Sequence, residues 1–315
     1  MDIIVFSPQY TNMKTGKKKI LIAGGTGLVG NALLKSLNPE EYEIFILSRV
    51  NRKQQDGIKY IVWDPANGYI ESTVNADIII NLAGAGIADE RWSSERKKVL
   101  VKSRTASAAT IQKMLEKTGH NPELYISASA VGYYGNRNDE KLTEESSPGI
   151  GFMAECCSLW EDAAMQLERY VNRLVILRIG LVLSLDGGAL PKMIMTKNLR
   201  LYNYFGNGQQ YYPWIHIEDL IRIIHFSISE KQVTGIYNAV APHPERNINL
   251  MQIIRKIYPG PSLLMQAPVA AMKLILGEMS AVVLNSNNVS ADKLLKTGFS
   301  FNFSNAKDAL KSLLN

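Results

Sequence analysis

The sequence predicts an α/β protein, a doubly wound parallel sheet with a smaller C-terminal α/β region. Three observations carry this. Residues 20–23 form an apolar run that breaks at Gly24-Gly25-Thr26-Gly27-Leu28-Val29-Gly30. A helical pattern follows, with Leu28, Leu33, Leu34 and Leu37 on one face. Strand-like and helical patterns then alternate as far as residue 180, the rhythm of a sheet with crossover helices. Residues 76–82 are built on the continuous run Ile78-Ile79-Ile80, as a strand covered on both faces requires.

The first strand, turn and helix define a candidate site. One glycine makes the tight turn, the next lets backbone N–H groups approach a pyrophosphate, and the third lets helix and strand pack closely. The anion meets a helix N-terminus, where unpaired N–H groups favour negative charge. The stretch is read as a dinucleotide site rather than a purely structural turn.

The second strand, residues 42–47, ends in Ser48-Arg49. An NAD site carries an acid here for the ribose 2′-hydroxyl. This chain has none, and the planar fork of Arg49 suits a 2′-phosphate, so NADP is the expected cofactor. Arg52 and Lys53 either add charge or belong to the loop. A third strand is expected over residues 59–63, with Asp64 as adenine contact or loop cap. The isoleucine strand runs into Asn81-Leu82-Ala83-Gly84-Ala85-Gly86, small residues where a parallel sheet admits its ligand. A long helix is expected over 93–117, carrying Ser103-Arg104. The fifth strand, 124–127, leads into Ala128-Ser129-Ala130-Val131-Gly132-Tyr133-Tyr134-Gly135, whose hydroxyls belong near a reacting centre. A helix over 152–170 and a sixth strand over 174–179 follow.

After Gly180 the rhythm changes. A short helix is expected over 190–196. Residues 202–212 are rich in Tyr, Asn, Gly and Gln and read equally as a binding wall or as core. An amphipathic helix opens near Asp219, which favours its start electrostatically, and runs to 229. A strand over 235–239 and helices over 250–257, 269–276 and 305–314 complete the chain. The expected division is a polar extension over 1–18, a cofactor-binding domain over 19–180 and a substrate region over 181–315, with some chain exchange between the last two.

Bulk properties narrow the function. The chain has 315 residues, 46% of them apolar, and a formal charge of +6. That excess fits an anionic small ligand and argues weakly for nucleic acid. The basic run Lys14, Lys17, Lys18, Lys19 reads as a solvated tail, and Met13 is an alternative start. Cys156 and Cys157 are adjacent, which disfavours a disulfide between them. The four histidines are scattered and no metal-ligand spacing occurs. This pattern points to a reducing cytosol and a cytoplasmic protein. No apolar run reaches membrane-spanning length. The expected partner is a small-molecule substrate, with no nucleic-acid or membrane motif.

Several motifs together resemble one family. The glycine stretch, Asn81-Leu82-Ala83-Gly84, Ser127-Ala128-Ser129-Ala130 and Trp214-Ile215-His216-Ile217-Glu218-Asp219-Leu220 resemble an extended short-chain dehydrogenase/reductase of Rossmann fold. An atypical branch, labelled nucleoside-diphosphate-sugar epimerase, is similar in four further stretches. They are Ile87-Ala88-Asp89-Glu90-Arg91-Trp92 with Ser103-Arg104, Val131-Gly132-Tyr133-Tyr134-Gly135, Asp186-Gly187-Gly188-Ala189-Leu190 and Leu276-Gly277-Glu278-Met279. The resemblance spans residues 19–314. It implies NADP binding by Gly24, Gly25, Thr26, Gly27, Leu28, Val29, Ser48, Arg49, Leu82, Ala83 and Arg104.

The departures matter as much. Typical members carry a serine and a Tyr-x-x-x-Lys pair, the tyrosine acting as acid and base. Ser129 matches the serine, and Glu161 matches the acid four residues past the lysine. Met153 and Cys157 then stand at the tyrosine and lysine, and a thioether has no proton to exchange. Tyr212 stands where typical members hold substrate diphosphate with an arginine. Ser129, Tyr133 and Tyr134 remain the catalytic candidates, with Glu155 a further proton carrier and Cys157 a small core residue. Two functions follow. One is an NADP-dependent oxidoreductase or epimerase acting on a small carbonyl or hydroxyl substrate, including a nucleotide sugar. The other is a non-catalytic NADP-sensing or partner-binding protein.

Overall fold

The computed structural model describes residues 16–54 and 57–315. The expected extension over 1–18, with Lys14 and Met13, lies outside the described residues except for Gly16, Lys17 and Lys18. Eight strands form the large sheet: β1 (Lys18–Ala23), β2 (Tyr42–Ser48), β3 (Ile58–Asp64), β4 (Tyr69–Ile70), β5 (Ile78–Asn81), β6 (Leu124–Ala130), β7 (Leu174–Ile179) and β8 (Gly235–Ala239). Their spatial order is β8-β7-β6-β5-β1-β2-β3-β4. All neighbours are parallel except the short β4, which turns back on β3.

Alternating side chains build two cores. Ile20 and Ile22 of β1 face α1 (Leu28–Ser36) and α4 (Ile217–Ser229). Leu21 and Ala23 face α2 (Ser94–Thr118) and α3 (Phe152–Met165). All four are fully buried, so β1 is apolar on both sides. Burying each of the larger ones favours the fold by about 1.5–3 kcal/mol. Ser93 caps α2 by accepting from the Arg96 N–H at 3.1 Å, and Gly119, with φ +62°, ends it.

A third core lies in the C-terminal part, where Tyr202, Tyr212, Trp214, Leu250 and Leu310 pack together. Of the four tyrosines in the aromatic stretch, Tyr202 and Tyr212 are therefore core. Helix α5 (Asn247–Ile257) covers one side of a two-stranded parallel sheet, Leu201–Phe205 with Leu263–Ala267. Helices α6 (Val269–Leu276) and α7 (Ala306–Leu314) follow.

Some elements differ from expectation. The fifth strand runs to Ala130 rather than 127, because Ala130 pairs with Ile179 of β7. Ser129 therefore sits in the sheet, not in a turn. Helix α3 ends at Met165, and a 3₁₀ turn takes Glu168–Tyr170. The helix expected over 190–196 is confined to Leu190–Met193. Gly235–Ala239 joins the large sheet beside β7, so residues 19–180 alone do not complete it.

The chain leaves β1 for β2 and β3 on one side, then returns to β5 on the other. The crevice at this reversal is where an open parallel sheet holds its ligand.

Candidate functional site

The glycine turn lies at the mouth of that crevice, and each glycine answers a different constraint. Gly24 has φ +78°, and a Cβ there would fall 2.6 Å from the Leu82 carbonyl. A Cβ on Gly30 would fall 2.3 Å from the Gly24 oxygen. A Cβ on Gly25 would press on Ile46 at 3.0 Å. The protein's own packing explains these three. Gly27 is different: a Cβ there meets only the Gly24 oxygen, at an ordinary 3.4 Å. Among the described residues nothing forbids a Cβ at Gly27, whereas an approaching phosphate would.

The helix start is prepared for an anion. Gly27 is the N-cap of α1, with no side-chain cap and no acidic residue in the first turn. Its first N–H groups thus lack a side-chain acceptor. Thr26 and Gly27 are exposed, while Leu28 and Val29 are half-buried. Leu28 packs under Gly187 and Gly188, which brings the Asp186-Gly187-Gly188 loop over the turn.

Across the crevice, the buried Asn81 shapes the loop after β5. Its amide donates to Ser107 and Tyr125 at 3.0 Å, and its oxygen accepts from the Ala83 N–H at 3.2 Å. This holds Leu82 and Ala83 beside Gly24. Arg104 enters from α2, buried, donating to the carbonyls of Leu100 (2.9 Å) and Ala85 (3.1 Å) and lying over Trp160. It has no carboxylate partner among the described residues. Burial holds its guanidinium below the ordinary value. A buried cation without an anion suits an anionic ligand.

At the end of β2, the Ser48 hydroxyl is tied to Val50, donating to its carbonyl at 2.7 Å. Ser48 is thus a turn former. Arg49 is exposed and has no partner among the described residues.

The catalytic candidates separate. The Ser129 hydroxyl donates to Glu161 Oε1 at 2.6 Å. Arg178 of β7 grips the same carboxylate through Nε (2.9 Å) and Nη2 (2.8 Å), and its Nη1 donates to the Tyr134 hydroxyl at 3.0 Å. The Tyr134 hydroxyl donates to Asn238 Oδ1 at 2.7 Å, and the Asn238 N–H donates to Glu144 at 2.8 Å. Tyr134 is fully buried, and burial pushes its phenol up to about 12. It is an interior girder, not a proton carrier at the cleft. Tyr133 is half-buried, its ring 3.5 Å from the Arg178 guanidinium.

Met153 and Cys157 face the same turn: a Cβ on Gly132 would meet Met153 at 3.3 Å and the Cys157 sulfur at 3.6 Å. Cys157 is buried, and burial pushes its thiol up to about 12, so it is not a thiolate nucleophile at neutral pH. Glu155 is exposed on α3. Tyr212 is buried, donating to the Val283 carbonyl at 2.5 Å. Sequence reasoning missed Arg178, Asn238 and Glu144. The visible signal was a lone arginine inside the apolar strand Leu174–Ile179.

A crevice at the sheet reversal, a ligand-shaped glycine turn and an unpaired buried cation define a nicotinamide-dinucleotide protein. Residues 20–239 match the NAD dependent epimerase/dehydratase family, and the chain belongs to it. Residues 267–313 match a domain of unknown function, DUF1731. An "Epimerase family protein" of Staphylococcus aureus is 36% identical over 302 residues, 95% of this chain and 99% of that protein. The crystal structure of human epimerase family protein SDR39U1 with NADPH has a TM-score of 0.84 at 29% identity, covering 94% of this chain and 98% of that one. A nucleoside-diphosphate sugar epimerase from Corynebacterium glutamicum has a TM-score of 0.74 at 28% identity, covering 95% of this chain and 58% of that one.

Proposed function

We propose that the chain is an NADP-dependent oxidoreductase of a small carbonyl or hydroxyl substrate, the epimerase reaction included. The observation that carries the cofactor choice is Arg49, exposed and unpartnered at the end of β2 with no acid beside it. The human relative with NADPH supports the same reading. Gly24, Gly25, Thr26, Gly27, Leu28 and Val29 hold the pyrophosphate side, Leu82 and Ala83 line the crevice, and Arg104 supplies a buried positive charge. A bound nicotinamide supplies or takes a hydride.

The protein's part is to orient a substrate oxygen and move its proton. Glu161, gripped by Arg178, is an acceptor only, so it consumes the single proton of Ser129. Ser129 is left with lone pairs, and it orients a substrate hydroxyl by accepting from it. Tyr133, fixed against Arg178, is the phenol left at the cleft to exchange the proton.

The alternative, a cofactor sensor without turnover, rests on Met153 and Cys157 in place of a tyrosine and a lysine. Calorimetry with NADP and NAD, on the parent and on Arg49→Ala, tests the cofactor choice. The parent should prefer NADP, and Arg49→Ala should weaken NADP alone. Equal affinities in the parent overturn it. Turnover with a panel of alcohols and carbonyls separates enzyme from sensor.

A further inference from the structure

Three stretches far apart in the chain, 86–92, 186–192 and 274–278, meet beside the crevice. The first continues the crevice loop of Leu82 and Ala83. Arg96 of α2 holds it from behind. Its Nη2 donates to the Gly86 carbonyl at 2.7 Å, and Asp89 and Glu90 lie 3.7 and 3.4 Å from its guanidinium. Trp92 Nε1 donates to the Ile87 carbonyl at 2.9 Å and closes the loop on itself. The other two stretches belong to the C-terminal region, and both reach this loop.

Three polar links join them. Lys192 Nζ donates to the Ala88 carbonyl at 3.3 Å. Arg91 Nη2 donates to the Leu274 carbonyl at 3.4 Å. It lies against Gly277, where a Cβ would fall 3.2 Å from the same nitrogen. Lys97, in the first turn of α2, pairs with Glu278. The first link completes a ring of contacts. From Gly24 the ring passes to Leu82 and Ala83, along the loop to Ala88 and across to Lys192. It returns through Gly188 and Gly187, which lie on Leu28 at the glycine turn. A pyrophosphate held at Gly27 would lie within it.

The ring is lightly fastened. No residue from 84 to 92 belongs to an apolar core among the described residues, and α6, which carries Leu274, has no buried residue. Arg91, Lys192 and Glu278 are exposed. Segments held by few apolar contacts open locally at small cost.

We propose that the three links form a clasp that shuts the crevice over the bound dinucleotide and governs its release. The inference rests on the cofactor reading. Closed, the clasp joins the cofactor side of the crevice to the C-terminal region. Open, it lets the dinucleotide in and out. None of the links uses Ser129, Tyr133 or a residue assigned to the cofactor.

Stopped-flow release of NADPH tests it, followed by NADPH fluorescence after the complex is mixed with excess NADP. Glu278→Gln, Arg91→Ala and Lys192→Ala should each speed release about two- to fivefold, the measure of one exposed polar link. The three together should speed it about tenfold or more. Lys97→Glu and Glu278→Lys should each speed release alone and return it to the parent rate when combined, a rescue that general damage to the fold would not give. Melting temperatures should stay near that of the parent. A parent that binds no NADPH overturns the cofactor reading and the clasp with it. A parent that binds NADPH, with release unchanged in every variant, overturns the clasp alone.

Discussion

The Ser129 hydroxyl donates a hydrogen bond to the Glu161 carboxylate 2.6 Å away, and both groups are buried. Arg178 holds both oxygens of that carboxylate, with Nε on Oε1 and Nη2 on Oε2. The three form one unit centred on Glu161, and both Ser129 and Arg178 lose a partner if Glu161 is changed. Breaking a buried ion pair from one side costs about 3–5 kcal/mol, because the remaining charge is left uncompensated. Glu161→Gln should therefore lose about 3 kcal/mol in urea unfolding, despite its nearly unchanged shape. A loss within the measurement error would mean that Arg178 finds another partner.

Gly27 and Gly30 should fail in opposite ways. A methyl at Gly30 runs into the Gly24 oxygen, so Gly30→Ala should destabilise by roughly 1–3 kcal/mol or more. A Cβ at Gly27 makes only an ordinary contact among the described residues, so Gly27→Val should melt near the parent temperature, yet titrate no NADP in the calorimeter. Retained NADP binding in Gly27→Val would make the turn purely structural.

Tyr133 and Tyr134 now make distinct predictions. Tyr134→Phe removes a hydroxyl from a buried network and leaves Asn238 and Arg178 each short of a partner. It should cost about 1–3 kcal/mol of stability. Tyr133→Phe should leave stability alone and lower turnover about a hundredfold or more, without weakening NADP. Met153→Leu and Cys157→Ala should cost little activity. Full turnover in Tyr133→Phe would move the proton to another group.

His216 makes acid stability measurable. Its Nδ1 accepts from the Glu218 N–H at 3.1 Å, which requires that nitrogen unprotonated. Burial holds its pKa below the ordinary 6.5, although Glu218 and Asp219 pull the other way. His225 is also lowered, by burial and against Glu41. The unfolded chain then binds protons first. The stability from neutral histidine is present above 6.5 and is lost as pH falls through the lowered folded values. His216→Asn, which keeps a capping oxygen, should flatten this acid limb in urea midpoints measured against pH. An unchanged slope would assign the acid limb to His225 and the carboxylates.

The sheet was legible because periodicity and glycine chemistry are local. Leu174–Ile179 and Gly235–Ala239 read as strands from their apolar content, and the structure keeps those bounds. The glycine turn needed only seven consecutive residues. Pairing between distant segments was not legible. Nothing near Leu263 announces Leu201 as its neighbour. The polar network escaped for the same reason, since Glu144, Glu161, Arg178 and Asn238 come from four separate segments. Ser129 was recognised, but its proton's destination depended on a fifth strand longer than its small residues suggested.

The addition of Gly235–Ala239 to the large sheet has a consequence for biosynthesis. The ribosome delivers β7 long before β8. Until residue 239 emerges, Leu174–Ile179 is an apolar strand with one unpaired edge, a template for joining another nascent chain. Glu161 has by then already been made, so Arg178 can be fixed in place on that strand. An inward-pointing charge is one of the devices that keep open edges from pairing with strangers. An Arg178→Leu chain, lacking that charge, should therefore partition into inclusion bodies more than the parent.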